Sequence, residues 1–196
     1  MFIFSGEIKS GKGTAMQILS KLLLKIGYQT AVVTVAKHLK QDVADILGIP
    51  VEYCYLQEKK SSTFIAPGGR EALLREYLQD YGEYMKVIFG QNYWINKCIE
   101  EAIDEKEKGF IPVCEDARFD FELDAFKEKK GILIRMHRTN PDKQSDPYNP
   151  IYHHRSETLI PPIDWKGWDY VIDNNITKEE LRGILLNIVN KHYEKS

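Results

Sequence analysis

No stretch of this sequence is both apolar and long. The run at its start, Met1-Phe2-Ile3-Phe4, stops after four residues at Ser5-Gly6, whereas a bilayer-spanning helix needs about 20 apolar residues. A membrane-spanning class is therefore excluded, and no secretory signal is expected from so short a run. Cysteine is also sparse. Cys54, Cys98 and Cys114 are widely separated and form no C-x-x-C pair, which argues against a disulfide framework or a structural zinc site and fits a reducing cytoplasm. Charge of one sign is lacking too: 27 basic and 29 acidic residues leave a net charge of −2, so the chain has no bulk attraction for polymeric nucleic acid or an anionic membrane. Any polyanion it binds is expected to be small. With 196 residues, 43% of them hydrophobic, the chain can bury one sizeable core and is short for two independent domains.

What is present is concentrated at the start. Residues 1–14 read as a short apolar strand running into a phosphate-binding loop, Gly6-Glu7-Ile8-Lys9-Ser10-Gly11-Lys12-Gly13-Thr14. The spacing Gly6-x-x-x-x-Gly11-Lys12 leaves a glycine at each tight bend, so that successive backbone N–H groups can point at phosphate oxygens. Lys12 adds a mobile positive charge for the terminal phosphates of a nucleoside triphosphate. From Thr14 the apolar residues Ala15, Met16, Ile18, Leu19, Leu22, Leu23 and Ile26 recur at helical spacing, which sets a helix N-terminus beneath the same anion. Gly6, Lys9, Ser10, Gly11, Lys12, Gly13 and Thr14 are the candidate ATP-binding residues. Gly13 stands where a magnesium-ligating Ser or Thr is usual, and the Gly-Lys-Gly-Thr ending resembles that of adenylate-kinase-type enzymes.

Further along, Ala31–Val35 reads as a strand covered on both faces, and His38–Leu47 as a helix closed by Gly48. Ile49–Gly69 has no stable period and is expected to be an irregular excursion. Arg70–Phe89 and Trp94–Lys106 are amphipathic helices whose aromatics belong to the core. Phe110–Cys114 is a buried strand leading to Glu115-Asp116-Ala117-Arg118; Phe121–Lys129 is a helix; Gly131–Met136 is a strand ending in Arg135-Met136-His137-Arg138. Tyr170–Ile172 is a last strand and Thr177–Tyr193 a capped last helix. Such alternation implies an α/β fold with a doubly wound parallel sheet and helices on both faces; five strands in the order 2-3-1-4-5 are expected, so that the Asp116 strand lies beside the Gly6 strand. Ligands gather beyond the carboxyl ends of such strands, where Gly6, Lys37, Asp116 and Arg138 would converge.

The chain resembles the phage-type deoxynucleoside monophosphate kinases of the P-loop nucleoside monophosphate kinase superfamily. The residues that carry the resemblance are Ser10–Thr14; Ala36-Lys37-His38-Leu39-Lys40; Arg70 before Leu78-Gln79-Asp80-Tyr81-Gly82; Trp94; Glu115-Asp116-Ala117-Arg118-Phe119; Arg135–Arg138; and His154-Arg155-Ser156-Glu157. It departs from the family at Asp120-Phe121-Glu122, where Asn-Glu follows the Asp-x-Arg-Phe segment, and at Glu83 and Lys86. The resemblance implies one P-loop kinase domain over 1–196, with an acceptor-binding excursion over about 38–93 and a lid over about 139–160. It implies ATP and Mg²⁺ as cofactors and transfer of a phosphoryl group to a deoxynucleoside 5′-monophosphate. Lys12, Asp116, Arg118 and Arg138 would be catalytic, with Asp116 orienting the water shell of magnesium. Lys37, Arg70, Gln79 and Arg118 would bind the acceptor, and Arg138, Arg155 and Glu157 would serve the lid. The location would be cytoplasmic, that of the host if the source is viral, and a homodimer is one outcome for its amphipathic helices.

Both substrates are polyanions and the acceptor is already an oxyanion, so positioning and positive charge can carry the rate without a strong general base. His153 and His154 do not make a metal site, because neighbours in an extended segment point to opposite sides. A GTPase is disfavoured, since Asn96-Lys97-Cys98-Ile99 lacks the aspartate that would read guanine. A mechanical ATPase, an adenylate kinase, a phosphomevalonate kinase-like enzyme and a non-catalytic nucleotide-binding module stay open as alternatives.

Overall fold

The computed structural model describes residues 1–139 and 158–193. Along the chain, strand β1 (Phe2–Ser5) leads through the glycine loop to helix α1 (Lys12–Lys25), then to β2 (Thr30–Val32) and α2 (Lys37–Leu47). A 3₁₀ turn (Val51–Cys54) and the short α3 (Gln57–Lys60) precede β3 (Thr63–Ile65), β4 (Glu71–Leu73), α4 (Leu74–Phe89) and α5 (Tyr93–Glu107). The remainder is β5 (Ile111–Cys114), α6 (Asp120–Glu128), β6 (Ile132–His137), β7 (Tyr170–Asp173) and α7 (Lys178–Tyr193). These elements form two compact units, one of Met1–Thr34 with Ile99–Ser196 and one of Val35–Cys98.

In the first unit five strands form one sheet in the order β2-β5-β1-β6-β7, and every pairing is parallel. Counted within the sheet this is the expected order 2-3-1-4-5, with the strand that leads to Asp116 beside the one that leads to Gly6. The central strand β1 is buried along its whole length, as a strand with helices on both faces must be. Its register sets the rest: Ile3 lies opposite Cys114 on one side, and Ser5 opposite Arg135 on the other. Phe2 and Phe4 join Leu19 and Leu23 of α1, Ile134 and Met136 of β6, Ile172 of β7, and Leu185 and Val189 of α7 in one core. Each such side chain contributes about 1.5–3 kcal/mol through burial, enough to hold the sheet's upper ends, and the loops they carry, in fixed register.

The expectation of a doubly covered strand over Ala31–Val35 is corrected. Strand β2 has three residues and sits at the sheet's edge, where Val32 is 54% exposed. An edge strand has one neighbour and one well-covered face, so β-branched composition does not by itself report burial on both sides. Val33, which is buried, adds one further ladder bond to Val113.

The second unit corrects two further expectations, because the stretch read as irregular contains β3 and the turn of an antiparallel hairpin whose other strand, β4, lies where a helix was expected to start. Its turn is Pro67-Gly68-Gly69, with φ of +96° at Gly68 and +83° at Gly69. Two adjacent glycines supply the left-handed conformations that such a turn needs. Helix α4 consequently starts at Leu74 rather than Arg70, since residues 71–73 belong to the hairpin. Val43 and Ala44 of α2, Cys54, and Ala72, Leu74 and Tyr77 form this unit's core. The indole of Trp94 is buried and donates to Gly82 O over 3.0 Å, so this aromatic is a structural residue, as its helical spacing suggested. Among the described residues no helix is long and apolar enough to cross a membrane.

Candidate functional site

The loop between β1 and α1 is shaped by two glycines that no other residue could replace without movement. A Cβ on Gly6 would stand 2.3 Å from the carbonyl oxygen of Met136 and 2.7 Å from Ser10 Oγ. Gly11 has φ +93°, and a Cβ there would meet Asn174 Nδ2 at 2.2 Å. The loop is thus pressed between the end of β6 and the residue that follows β7. Asn174, itself buried, donates from Nδ2 to the carbonyl of Ser10 over 2.9 Å. Ser10 N–H turns back to Glu7 O, closing the turn.

Gly11 caps α1 without any side-chain acceptor, and the first turn of the helix carries no acidic residue. Its leading N–H groups and their partial positive charge therefore remain available to an external anion. The Lys12 ammonium folds back over the loop, donating to Gly6 O and Glu7 O, each at 2.8 Å, and more weakly to Ser10 Oγ at 3.4 Å. Burial, reinforced by the nearby Arg118 and Arg135 guanidiniums and opposed by Glu115 and Glu7, brings its pKa down to about 8. A half-buried ammonium held by neutral carbonyls beside other cations gains strongly from a polyphosphate.

The segment after β5 brings the other charges. Arg118 is half-buried, and burial pulls its pKa below the usual value against the opposing charges of Asp116, Glu122 and Glu7. Its main chain is anchored: the buried Glu122 carboxylate accepts from Arg118 N at 2.8 Å and Phe119 N at 3.1 Å, which also caps the start of α6. Asp116 Oδ1 accepts from Cys114 Sγ at 3.2 Å. Glu115 faces the first turn of α1, its Oε2 lying 3.0 Å from where a Cβ on Gly13 would be. On the other side of β1, Arg135 is 3% exposed and bonds Glu7 Oε1 at 2.6 Å. Burial alone would raise the Glu7 pKa, but the bond to Arg135, with the charges of Arg135 and His137, brings it below the ordinary carboxylate value.

The structure therefore gathers Gly6, Ser10, Gly11, Lys12, Gly13 and Arg118 in the first unit. Lys9 is exposed in the loop in the left-handed region (φ 63°), and Thr14 lies in the first turn of α1. Arg138 follows β6 directly and is exposed. The other acceptor candidates belong to the second unit: Lys37 opens α2 and is exposed, Gln79 is on the exposed side of α4, and Arg70 follows the hairpin turn. Arg70 is paired with Asp80 and lies over the Tyr77 ring, 5.2 Å from its centroid. Arg155 and Glu157, and residues 140–157 of the expected lid, lie outside the described residues. Sequence reasoning assigned no role to Glu7, Glu115, Arg135 or Asn174. Glu7 is within the loop motif and Glu115 within the strand-end charge cluster, so both had a local signal; nothing near Asn174 in the sequence points to the loop it holds.

No family model and no curated protein matches the chain. Solved structures share its fold. A sugar kinase of Janibacter sp. superposes with a TM-score of 0.55 at 11% identity, over 96% of this chain and 93% of that one. The dephospho-CoA kinase of Campylobacter jejuni superposes with a TM-score of 0.52 at 15% identity, over 98% and 96%. The five-stranded parallel sheet with its flanking helices is the P-loop kinase fold.

Proposed function

We propose that this chain is a phosphotransferase that moves the γ-phosphoryl group of ATP to a small phosphate-bearing acceptor, a deoxynucleoside 5′-monophosphate. The observation that carries this reading is the Lys12 ammonium, half-buried and seated on the loop's own carbonyls at the start of a helix with no side-chain cap, with Arg118 close enough to lower its pKa. The fold shared with a sugar kinase and a dephospho-CoA kinase supports a small-molecule kinase, and the resemblance set out above favours the nucleotide acceptor.

In this mechanism the loop N–H groups and Lys12 hold the β and γ phosphates. An oxygen of the acceptor phosphate attacks the γ phosphorus, and the bond from that phosphorus to the β,γ-bridging oxygen breaks. ADP and the deoxynucleoside diphosphate result. Lys12 follows the charge that develops on the transferring group, and Arg118 neutralises the acceptor so that two polyanions can approach. By the resemblance, Lys37, Arg70 and Gln79 would serve the acceptor, while Arg138 and Arg155 would act as lid arginines that exclude water, and Glu157 would order the lid by pairing with an arginine. Glu115, which faces the first turn of α1, and Asp116 are the carboxylates that would serve a magnesium ion carried by the nucleotide, Asp116 through the ion's waters. The bound ion would supply charge neutralisation between the phosphates.

Incubation of the purified protein with ATP and each nucleoside and deoxynucleoside monophosphate in turn, with ADP and the new diphosphate both quantified, tests the reading. Matched formation of the two products from a deoxynucleotide is expected. Binding of ATP without transfer to any monophosphate would overturn the acceptor assignment.

A further inference from the structure

Arg135 is the one buried basic residue among the described residues. From β6 it reaches beneath the first turn of the glycine loop, where Nη2 donates to Glu7 Oε1 at 2.6 Å and Nη1 donates to Met136 O at 2.9 Å. Gly6 rests against it, since a Cβ there would lie 3.0 Å from Nη1. The residue that Arg135 holds by its side chain is also the residue whose carbonyl receives Lys12 Nζ at 2.8 Å and Ser10 N at 3.2 Å.

As a source of stability this pair is poor. Glu7 Oε2, Arg135 Nε and Ser5 Oγ are buried with no hydrogen-bond partner, so the buried Arg135, and in part the half-buried Glu7, have lost hydration that their mutual bond does not fully replace. Apolar residues of similar volume would fill the same space at equal or lower cost. What the ion pair does, and apolar contacts would not, is admit one geometry of the loop: the Arg135 fork is fixed between Met136 O and the Glu7 carboxylate, and Glu7 cannot shift without stranding the buried Arg135 charge.

We propose that Arg135 and Glu7 form a clasp that sets the conformation of the phosphate loop and thereby the point from which Lys12 meets the donor's phosphates. Arg135 is then a positioning residue that acts through Glu7. The nucleotide half of this inference rests on the donor site described above, whereas the ordering of the loop does not.

The experiment compares the wild-type chain with Glu7→Gln, Arg135→Met and the pair Glu7→Leu with Arg135→Met, using two readouts. One is amide hydrogen exchange across residues 6–13 in ligand-free protein, relative to α7. The other is the Kd of the magnesium complex of the non-hydrolysable β,γ-imido analogue of ATP. In the paired variant, melting should stay close to wild type, while the loop amides exchange at least about tenfold faster and the analogue binds at least about tenfold more weakly. Should the paired variant fail to fold, the near-isosteric Glu7→Gln carries the same two measurements with the same expected direction. Wild-type loop exchange in a folded variant would overturn the clasp, and faster exchange with an unchanged Kd would overturn its positioning role. If wild-type protein did not bind the analogue, the donor-site reading would fall, and loop exchange alone would still decide whether the clasp orders the loop.

Discussion

Asn174 Nδ2 donates to the carbonyl of Ser10 over 2.9 Å, a bond between the end of the last strand and the glycine loop across 164 positions of sequence. Asn174→Ala would leave that buried carbonyl without its donor, and a loss of about 1–3 kcal/mol is expected. Urea denaturation measures it; a change within about 0.5 kcal/mol, the range of neutral surface substitutions, would mean that the bond is not needed to seat the loop.

The same amide makes Gly11 and Gly13 behave oppositely. Gly11→Ala puts a Cβ at φ +93° and 2.2 Å from Asn174 Nδ2, so it costs the roughly 1–2 kcal/mol of a left-handed residue and displaces the amide as well. Gly13→Ala meets only the end of the Glu115 side chain, at 3.0 Å, and gains about 0.5–1 kcal/mol of helix propensity. Thermal melting of the two variants should show a clear loss for the first and a change near zero or a slight gain for the second.

Lys12 gives opposite pH trends to stability and to binding. Its folded pKa of about 8 lies below the unfolded value of 10.5, so between these the unfolded chain binds more protons and the Lys12 contribution to stability rises with pH. Affinity for a triphosphate falls over the same window as the ammonium is lost, by up to about tenfold per pH unit. Calorimetric titration with the imido analogue from pH 7 to 10 should show this limb in the wild-type chain and not in Lys12→Met. A Lys12→Ala variant should fold normally yet lose ~10²-fold or more in turnover; normal turnover would remove Lys12 from the donor site.

Arg118→Lys keeps the positive charge and the main-chain bonds to Glu122 but loses the planar fork that can grip two phosphate oxygens. The KM for the monophosphate should rise more than the KM for ATP. A rise confined to ATP would move Arg118 to the donor side.

Much of this protein was legible in one dimension. The glycines of the loop, the helix that follows it and the β–α alternation behind the parallel sheet all follow from local spacing and periodicity, because backbone conformation and amphipathic burial repeat along the chain itself. The Pro67-Gly68-Gly69 turn was equally local, yet its flanking three-residue strands are too short for periodicity to reveal. What tertiary structure alone decided is which side chains meet. The exposure of Val32 follows from the edge position of β2, not from its β-branched composition. Arg135 reaches Glu7 across 128 positions of sequence, and Asn174 reaches Ser10 across 164. No spacing rule could pair them, because the parallel register of β6 and β7 beside β1 is what carries both partners to the loop.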